Sequence, residues 1–233
     1  MVELLVPEFH LLVPQSHQVI KRTHSGNSRR GAHMFEVRIH GRGGQGVVTA
    51  AEMLSIAAFE EGHHAQAFPS FGSERTGAPV VAFCRIADKE IRLREPIMQP
   101  DALIIQDPTL LHQIDVFAGL KKNGFILINT TNTFEELGLS DFVRDFPADR
   151  LCTLAATALG LKHVGRPMPN VPLLAGFAAL SGSIKLESVC LAINARFSGK
   201  VAQGNVAAAT EAYETVRAQV EGVQLARQEV AHA

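Results

Sequence analysis

Phe35-Glu36-Val37-Arg38-Ile39-His40-Gly41-Arg42-Gly43-Gly44-Gln45-Gly46-Val47 is the stretch from which the fold of this chain can be read. From Phe35 to His40 apolar and polar side chains alternate, the period-two pattern of a strand with one buried face. The alternation stops at Gly41. From Val47 the apolar residues Val47, Val48, Ala51, Leu54, Ala57 and Ala58 recur at three- and four-residue spacing. That spacing predicts a helix over 47–61, stopped by Gly62. Strand, glycine turn and helix in this order open an α/β domain.

The turn itself, Gly41-Arg42-Gly43-Gly44-Gln45-Gly46, satisfies G-x-G-x-x-G and stands between a strand and a helix start, where that pattern has physical meaning. Glycine permits positive φ and lets backbone N–H groups approach an anion lying on the helix N-terminus. The N–H groups of Gly43, Gly44 and Gly46, helped by the planar cationic fork of Arg42, are therefore candidate anion contacts. A dinucleotide site also needs an acid about 20 residues on, at the end of the second strand, to hold the ribose. Phe68-Pro69-Ser70 occupies that position and contains none. A triphosphate loop needs Lys-Ser/Thr after the last glycine, whereas here Val47 follows. The turn read alone leaves three possibilities open: a nicotinamide site, an anion site without a dinucleotide, and glycines that only allow close strand–helix packing.

Working outward, His64 to Phe68 reads as a second strand broken by Pro69, and Ser70 to Ala78 as a loop. Val80–Ile86 and Glu90–Leu93 flank Ala87-Asp88-Lys89, a spacing that predicts a hairpin at the sheet edge. Ala102–Gln106 and Phe125–Asn129 are short, apolar and β-branched, as buried parallel strands are, with Leu110–Leu120 as their crossover. Leu151–Leu154 adds a strand. Helices follow at 155–161, 171–180, 186–193 and 201–220, with Asn170 as a polar cap and Asp107 as another. The predicted fold class is α/β: a three-layer Rossmann-like sheet, mostly parallel, with an edge hairpin and helices toward the C-terminal end.

Composition narrows the function classes. Apolar residues make up 46% and charged residues 19%, the balance of a soluble globular domain. A net charge of −1 gives no basic excess for a nucleic-acid backbone, and no apolar run is long enough for a membrane span. Cys84, Cys152 and Cys190 stand far apart, without a C-x-x-C pair, and read as reduced core thiols of a cytoplasmic protein. The histidines are scattered, so no metal site is expected. Residues 1–33, with Pro7, Pro14 and a polar basic run from Lys21 to Arg30, read as an N-terminal extension that is flexible or contacts a partner. They lack the pattern of a secretory signal, and residues 34–233 form the domain.

Together with the glycine turn, several further stretches carry a resemblance. They are Gln66-Ala67-Phe68-Pro69-Ser70-Phe71-Gly72-Ser73-Glu74-Arg75-Thr76-Gly77-Ala78-Pro79, Ile91-Arg92-Leu93-Arg94, Gln106-Asp107-Pro108-Thr109-Leu110, Pro169-Asn170-Val171-Pro172-Leu173-Leu174 and Lys200-Val201-Ala202-Gln203-Gly204-Asn205. The chain resembles the gamma subunits of pyruvate and related 2-oxoacid:ferredoxin oxidoreductases over roughly residues 35 to 213. The resemblance implies a multi-subunit enzyme that decarboxylates a 2-oxoacid, pyruvate or an aryl or branched relative, to acyl-CoA and carbon dioxide. Thiamine diphosphate with Mg and [4Fe-4S] clusters would be held by other chains, namely thiamine-binding alpha and beta subunits and a ferredoxin-like delta subunit. Electrons would pass to ferredoxin or, through an added flavoprotein, to NAD.

The part left for a gamma subunit is structural, with a surface facing coenzyme A: Arg42, Gly43, Gly44 and Gly46, with Arg75 from the loop after the second strand. Glu74 is placed to orient Arg75, and an intersubunit docking role for that loop is an equal reading. Two other functions stay open on sequence alone: a stand-alone nicotinamide-dependent dehydrogenase, and a nucleotide- or CoA-binding module without an enzyme partner.

Overall fold

The structure is a computed structural model, and it describes residues 34–70 and 76–232. The expectations for residues 1–33 and for Glu74 and Arg75 lie outside the described residues.

Six strands form one sheet in the order β2-β3-β1-β4-β5-β6. They are β1 (Met34–Arg42), β2 (His64–Pro69), β3 (Pro79–Ala87), β4 (Ala102–Ile105), β5 (Phe125–Asn129) and β6 (Leu151–Leu154). β1, β4, β5 and β6 pair in parallel, with Val37 opposite Ala102. β3 runs antiparallel between β1 and β2. The α-helices among the described residues are α1 (Val47–Glu60), α2 (Ser140–Val143), α3 (Ala156–Val164), α4 (Asn170–Ser181), α5 (Leu186–Arg196) and α6 (Gly199–His232).

Val37 and Ile39 are fully buried on the face of β1 that meets α1 and α4, in the main core with Met53, Leu54, Leu173 and Phe177. Side chains of this size stabilise by about 1.5–3 kcal/mol each when removed from water. The opposite face is covered differently. Ile105, Leu110, Val116, Ile126 and Ile128 form a smaller core under the segments that join β4 to β5 and β5 to β6. Those segments contain a 3-10 turn at Pro108–His112 and the single-turn α2 instead of a long helix. The chain leaves β1 through α1 toward β2 on one face, and passes from β4 to β6 on the other. Reversing direction while changing face keeps both crossovers of one hand.

Three expectations are corrected. Glu90–Leu93 is not a strand, and the edge hairpin is β2 with β3. β3 has a neighbour on each side, so no edge remains for residues 90–93 to pair with. Arg85 holds the end of this segment and the chain just beyond it, donating to the Leu93 carbonyl at 3.5 Å and to the Glu95 carbonyl at 2.6 Å. Asn170 is also not a cap: Pro169 takes the cap position and Asn170 is the first helical residue, buried. α6 continues well past the predicted end at Val220. No helix among the described residues is long and apolar enough to cross a membrane.

Candidate functional site

Because the chain goes one way from β1 and the other way from β4, the carboxyl ends of these two strands border the crevice where open α/β sheets place ligands. The glycine turn leaves β1 here, and Asp107 follows β4 here. Sterics impose the turn. Gly44 and Gly46 sit at φ 94° and 73°, which L side chains rarely adopt. A Cβ on Gly46 would lie 2.5 Å from Nδ2 of Asn170, and one on Gly41 would lie 2.6 Å from Cγ2 of Val47. The glycines thus allow α1 and α4 to begin against the end of β1.

The four residues Arg42, Gln45, Asp107 and Thr109 form one hydrogen-bonded group. Asp107 Oδ2 accepts from Arg42 Nε at 3.1 Å and from Gln45 Nε2 at 3.0 Å. Its Oδ1 accepts from the Thr109 N–H at 3.0 Å and the Thr109 hydroxyl at 2.5 Å. The Arg42 guanidinium also donates to the Gly77 carbonyl at 3.0 Å, the Thr109 hydroxyl at 2.7 Å and Gln113 Oε1 at 2.9 Å. Gln45 closes the ring by accepting from the Arg42 N–H at 2.8 Å. Burial alone would raise the Asp107 carboxyl. The hydrogen bonds from Thr109 and Gln45 and the Arg42 charge together outweigh it and hold the carboxyl below its usual range. Asp107 does cap the 3-10 turn as the sequence predicts. Its bonds to Arg42 and Gln45 are new.

Beside this group lies an open cleft of about 420 Å³, lined by Arg42, Gly43, Gly44, Gly46, Val47, Val48, Thr49, Thr76, Val80 and Met168. The first turn of α1 points into it, and Gly46 offers no side-chain cap to the opening N–H groups. Four of the expected contact residues, Arg42, Gly43, Gly44 and Gly46, therefore meet at one cleft. Two of them differ from expectation in what they can offer. The Gly43 N–H donates to the Ala78 carbonyl at 2.9 Å, and the Gly77 N–H donates to the Gly43 carbonyl at 3.1 Å. Gly43 is thus locked into a backbone cross-link and presents no donor. Arg42 uses four of its five N–H donors internally. It is a strut more than a free cation. Thr76, next to Arg75, lines the cleft.

Sequence reasoning misses Gln45, Thr109 and Gln113 as functional positions. Gln45 occupies a variable position of the glycine pattern, and only its meeting with Asp107, 62 residues away, gives it a role. Below the turn, Gln106 is fully buried with both amide atoms unpaired.

The donor set does not suit a metal or a cluster. No three His, Cys, Asp or Glu side chains gather among the described residues. Cys84 and Cys152 are buried, and burial pushes their thiols up, Cys152 to about 12, away from the thiolate that ligates iron.

Comparison with known proteins agrees with this geometry. The family described as pyruvate ferredoxin/flavodoxin oxidoreductase matches residues 36–215. The common gamma subunit of the pyruvate/ketoisovalerate oxidoreductases of Thermococcus litoralis is 48% identical over 181 residues, covering 78% of this chain and 96% of its own length. The pyruvate synthase subunit PorC of Methanothermobacter marburgensis is 44% identical over 184 residues, covering 79% of this chain and 98% of its own length. The crystal structure of the pyruvate oxidoreductase subunit PORC of Thermotoga maritima superposes with a TM-score of 0.66 at 35% identity, covering 78% of this chain and 96% of that one. A glycine turn without a ribose-holding acid, a crevice spanned by the Arg42–Asp107–Gln45 group and these relatives agree: the chain belongs to the pyruvate ferredoxin/flavodoxin oxidoreductase family, as a subunit of gamma type.

Proposed function

We propose that this chain is the gamma subunit of a 2-oxoacid oxidoreductase complex that releases acyl-CoA, and that its own contribution is to receive the anionic end of coenzyme A. The cleft at the glycine turn is the observation that carries the reading. It combines first-turn N–H groups of a 14-residue helix with Gly44 and Gly46, and it is open to solvent at the carboxyl end of β1, where open α/β sheets place ligands. Coenzyme A presents phosphates on a long flexible arm, and fixing one end shortens the search of the thiol for the acyl group. Arg75, next in sequence to cleft-lining Thr76, supplies the cation in this reading. Thiamine diphosphate with Mg supplies the decarboxylation, and [4Fe-4S] clusters supply the electron path, both on partner subunits.

Substituting Thr49→Asp tests this. An acid in the first turn of α1 is favourable for the helix, so the fold is retained. It also places a negative charge at the cleft. In the purified complex the KM for coenzyme A should rise roughly tenfold, a change of about 1.4 kcal/mol in binding, with the KM for the 2-oxoacid unchanged. An unchanged KM for coenzyme A would remove the cleft from the reaction.

A further inference from the structure

We propose that Asp107 is a positioning residue for the cleft: through Arg42 and Gln45 it locks the glycine turn to the backbone that returns from the β2–β3 loop. The inference rests on the reading of the cleft just given and adds a residue to it that touches no ligand.

The argument is one of connectivity. Three separate pieces of chain build the cleft rim, namely the continuous turn and first turn of α1 at 42–49, the return at 76–80 and Met168. The return is joined to the turn by the paired bonds between Gly43 and Gly77–Ala78. Two backbone bonds at a solvent-exposed bridge are a weak joint by themselves. Arg42 reinforces it, since the same guanidinium that donates to the Gly77 carbonyl also donates to Asp107, Thr109 and Gln113. Only an acceptor of fixed orientation can hold that guanidinium. Asp107 is such an acceptor, because its other oxygen is taken by the N–H and hydroxyl of Thr109. The Asp107 side chain is 13% exposed and that of Arg42 is 22% exposed, so solvent competes poorly for the pair. Gln45 meets both partners, accepting from the Arg42 backbone and donating to Asp107, and so fixes the conformation of the turn as well as its distance from β4.

The donor and acceptor pattern suggests an exchange that separates position from mere stability. Asp107→Asn keeps the shape and lets Oδ1 still accept from Thr109. It puts an NH2 group against two donors, Arg42 Nε and Gln45 Nε2. Adding Gln45→Glu restores the bond between positions 45 and 107, because the carboxylate then carried at position 45 would accept from the amide and from the Arg42 backbone N–H, while Arg42 Nε still lacks its acceptor. The negative charge passes from one partner of that bond to the other while the donor–acceptor pairing between positions 45 and 107 is kept.

Both variants are to be made in the full complex, with two readouts: amide hydrogen exchange at Gly43 and Gly77, and the KM and kcat for coenzyme A. In Asp107→Asn, exchange at these two amides should accelerate roughly tenfold. The KM for coenzyme A should rise several-fold with kcat little changed, and Gln45→Glu added to it should reverse both effects in part. Unchanged exchange in Asp107→Asn overturns the latch, while leaving the coenzyme A reading to the Thr49→Asp test. Faster exchange with an unchanged KM overturns the assignment of the latch to coenzyme A. Failure of the double variant to recover either readout overturns the pairing on which the inference is built.

Discussion

His40 stands two residues before Arg42 on β1, 4% exposed, and neither ring nitrogen has a hydrogen-bond partner. Burial, and after it the charge of Arg38, pushes its pKa down to about 3. The neutral ring is therefore the folded form throughout the physiological range. In the unfolded chain the ring takes up a proton below about pH 6.5. Between about pH 3 and 6.5 the unfolded state binds more protons, so stability falls as the pH is lowered, by at most about 1.4 kcal/mol per pH unit from this group. His40→Leu should remove that slope. Denaturant melts of both proteins at pH 7, 6 and 5 measure it, and an identical pH dependence would mean that the ring is protonated, or hydrated, in the fold. Asp107 is also shifted downward, for a different cause: burial would raise its carboxyl, and the hydrogen bonds from Thr109 and Gln45 with the Arg42 charge outweigh it. Its lowered carboxyl stabilises the fold above about pH 4 and loses that contribution as the pH falls through its folded value. The two windows overlap between about pH 3 and 4, and comparing melts of His40→Leu with and without Asp107→Asn below pH 4 isolates Asp107.

At the level of elements, what is legible in the sequence is what local sterics decide. β1, the glycine turn and α1 follow from the period of the apolar residues and from the need for positive φ, and the structure places them with the predicted bounds to within two residues. A hairpin over 80–93 does not form because strand pairing is decided by what else reaches the edge, and β1 and β2 reach β3 first. The candidate site is half legible for the same reason. Its glycines and Arg42 are contiguous in sequence, whereas Asp107 is 65 residues from Arg42 and Gly77 is 35. From its neighbours alone Asp107 is a cap and nothing more. The two glycines at positive φ separate backbone strain from packing. A Cβ on Gly44 meets nothing within 4 Å, so Gly44→Ala costs only the unfavourable φ, about 1 kcal/mol. Gly46→Ala adds the overlap with Asn170, and should cost at least twice as much. By calorimetry of the isolated chain, Tm should fall by about 2–4 °C for the first and by about 4–8 °C or more for the second. Equal losses would show that the start of α4 yields to admit the methyl group.

The two faces of the sheet are unequal, and this sets how the whole molecule opens. On the helical face a continuous core joins β1, β3 and β4 to α1, α4, α5 and α6. On the other face only five fully buried apolar residues form the core under the β4–β5 and β5–β6 connections, whose helices are single turns. The free energy of local opening follows the apolar contact that opening exposes. Residues 108–122 and 132–147 should therefore exchange their amides through a sub-global opening with a small denaturant dependence, while β1, β4, β5 and α4 exchange only on global unfolding. Native-state hydrogen exchange in low guanidinium measures both classes. A common free energy and a common slope for these two connections and for β1 would make the two layers one cooperative unit. The inequality also gives Arg42 its place in the molecule. Thr109 and Gln113 belong to the weaker layer, and Arg38 reaches into the same layer through the carbonyls of Val116 at 2.8 Å and Ala118 at 2.7 Å. Two arginines of β1 thus fasten that layer to the strongest strand. Breaking the Arg42 connection with Asp107→Asn should lower the opening free energy of residues 108–113 while leaving that of β1 near its wild-type value.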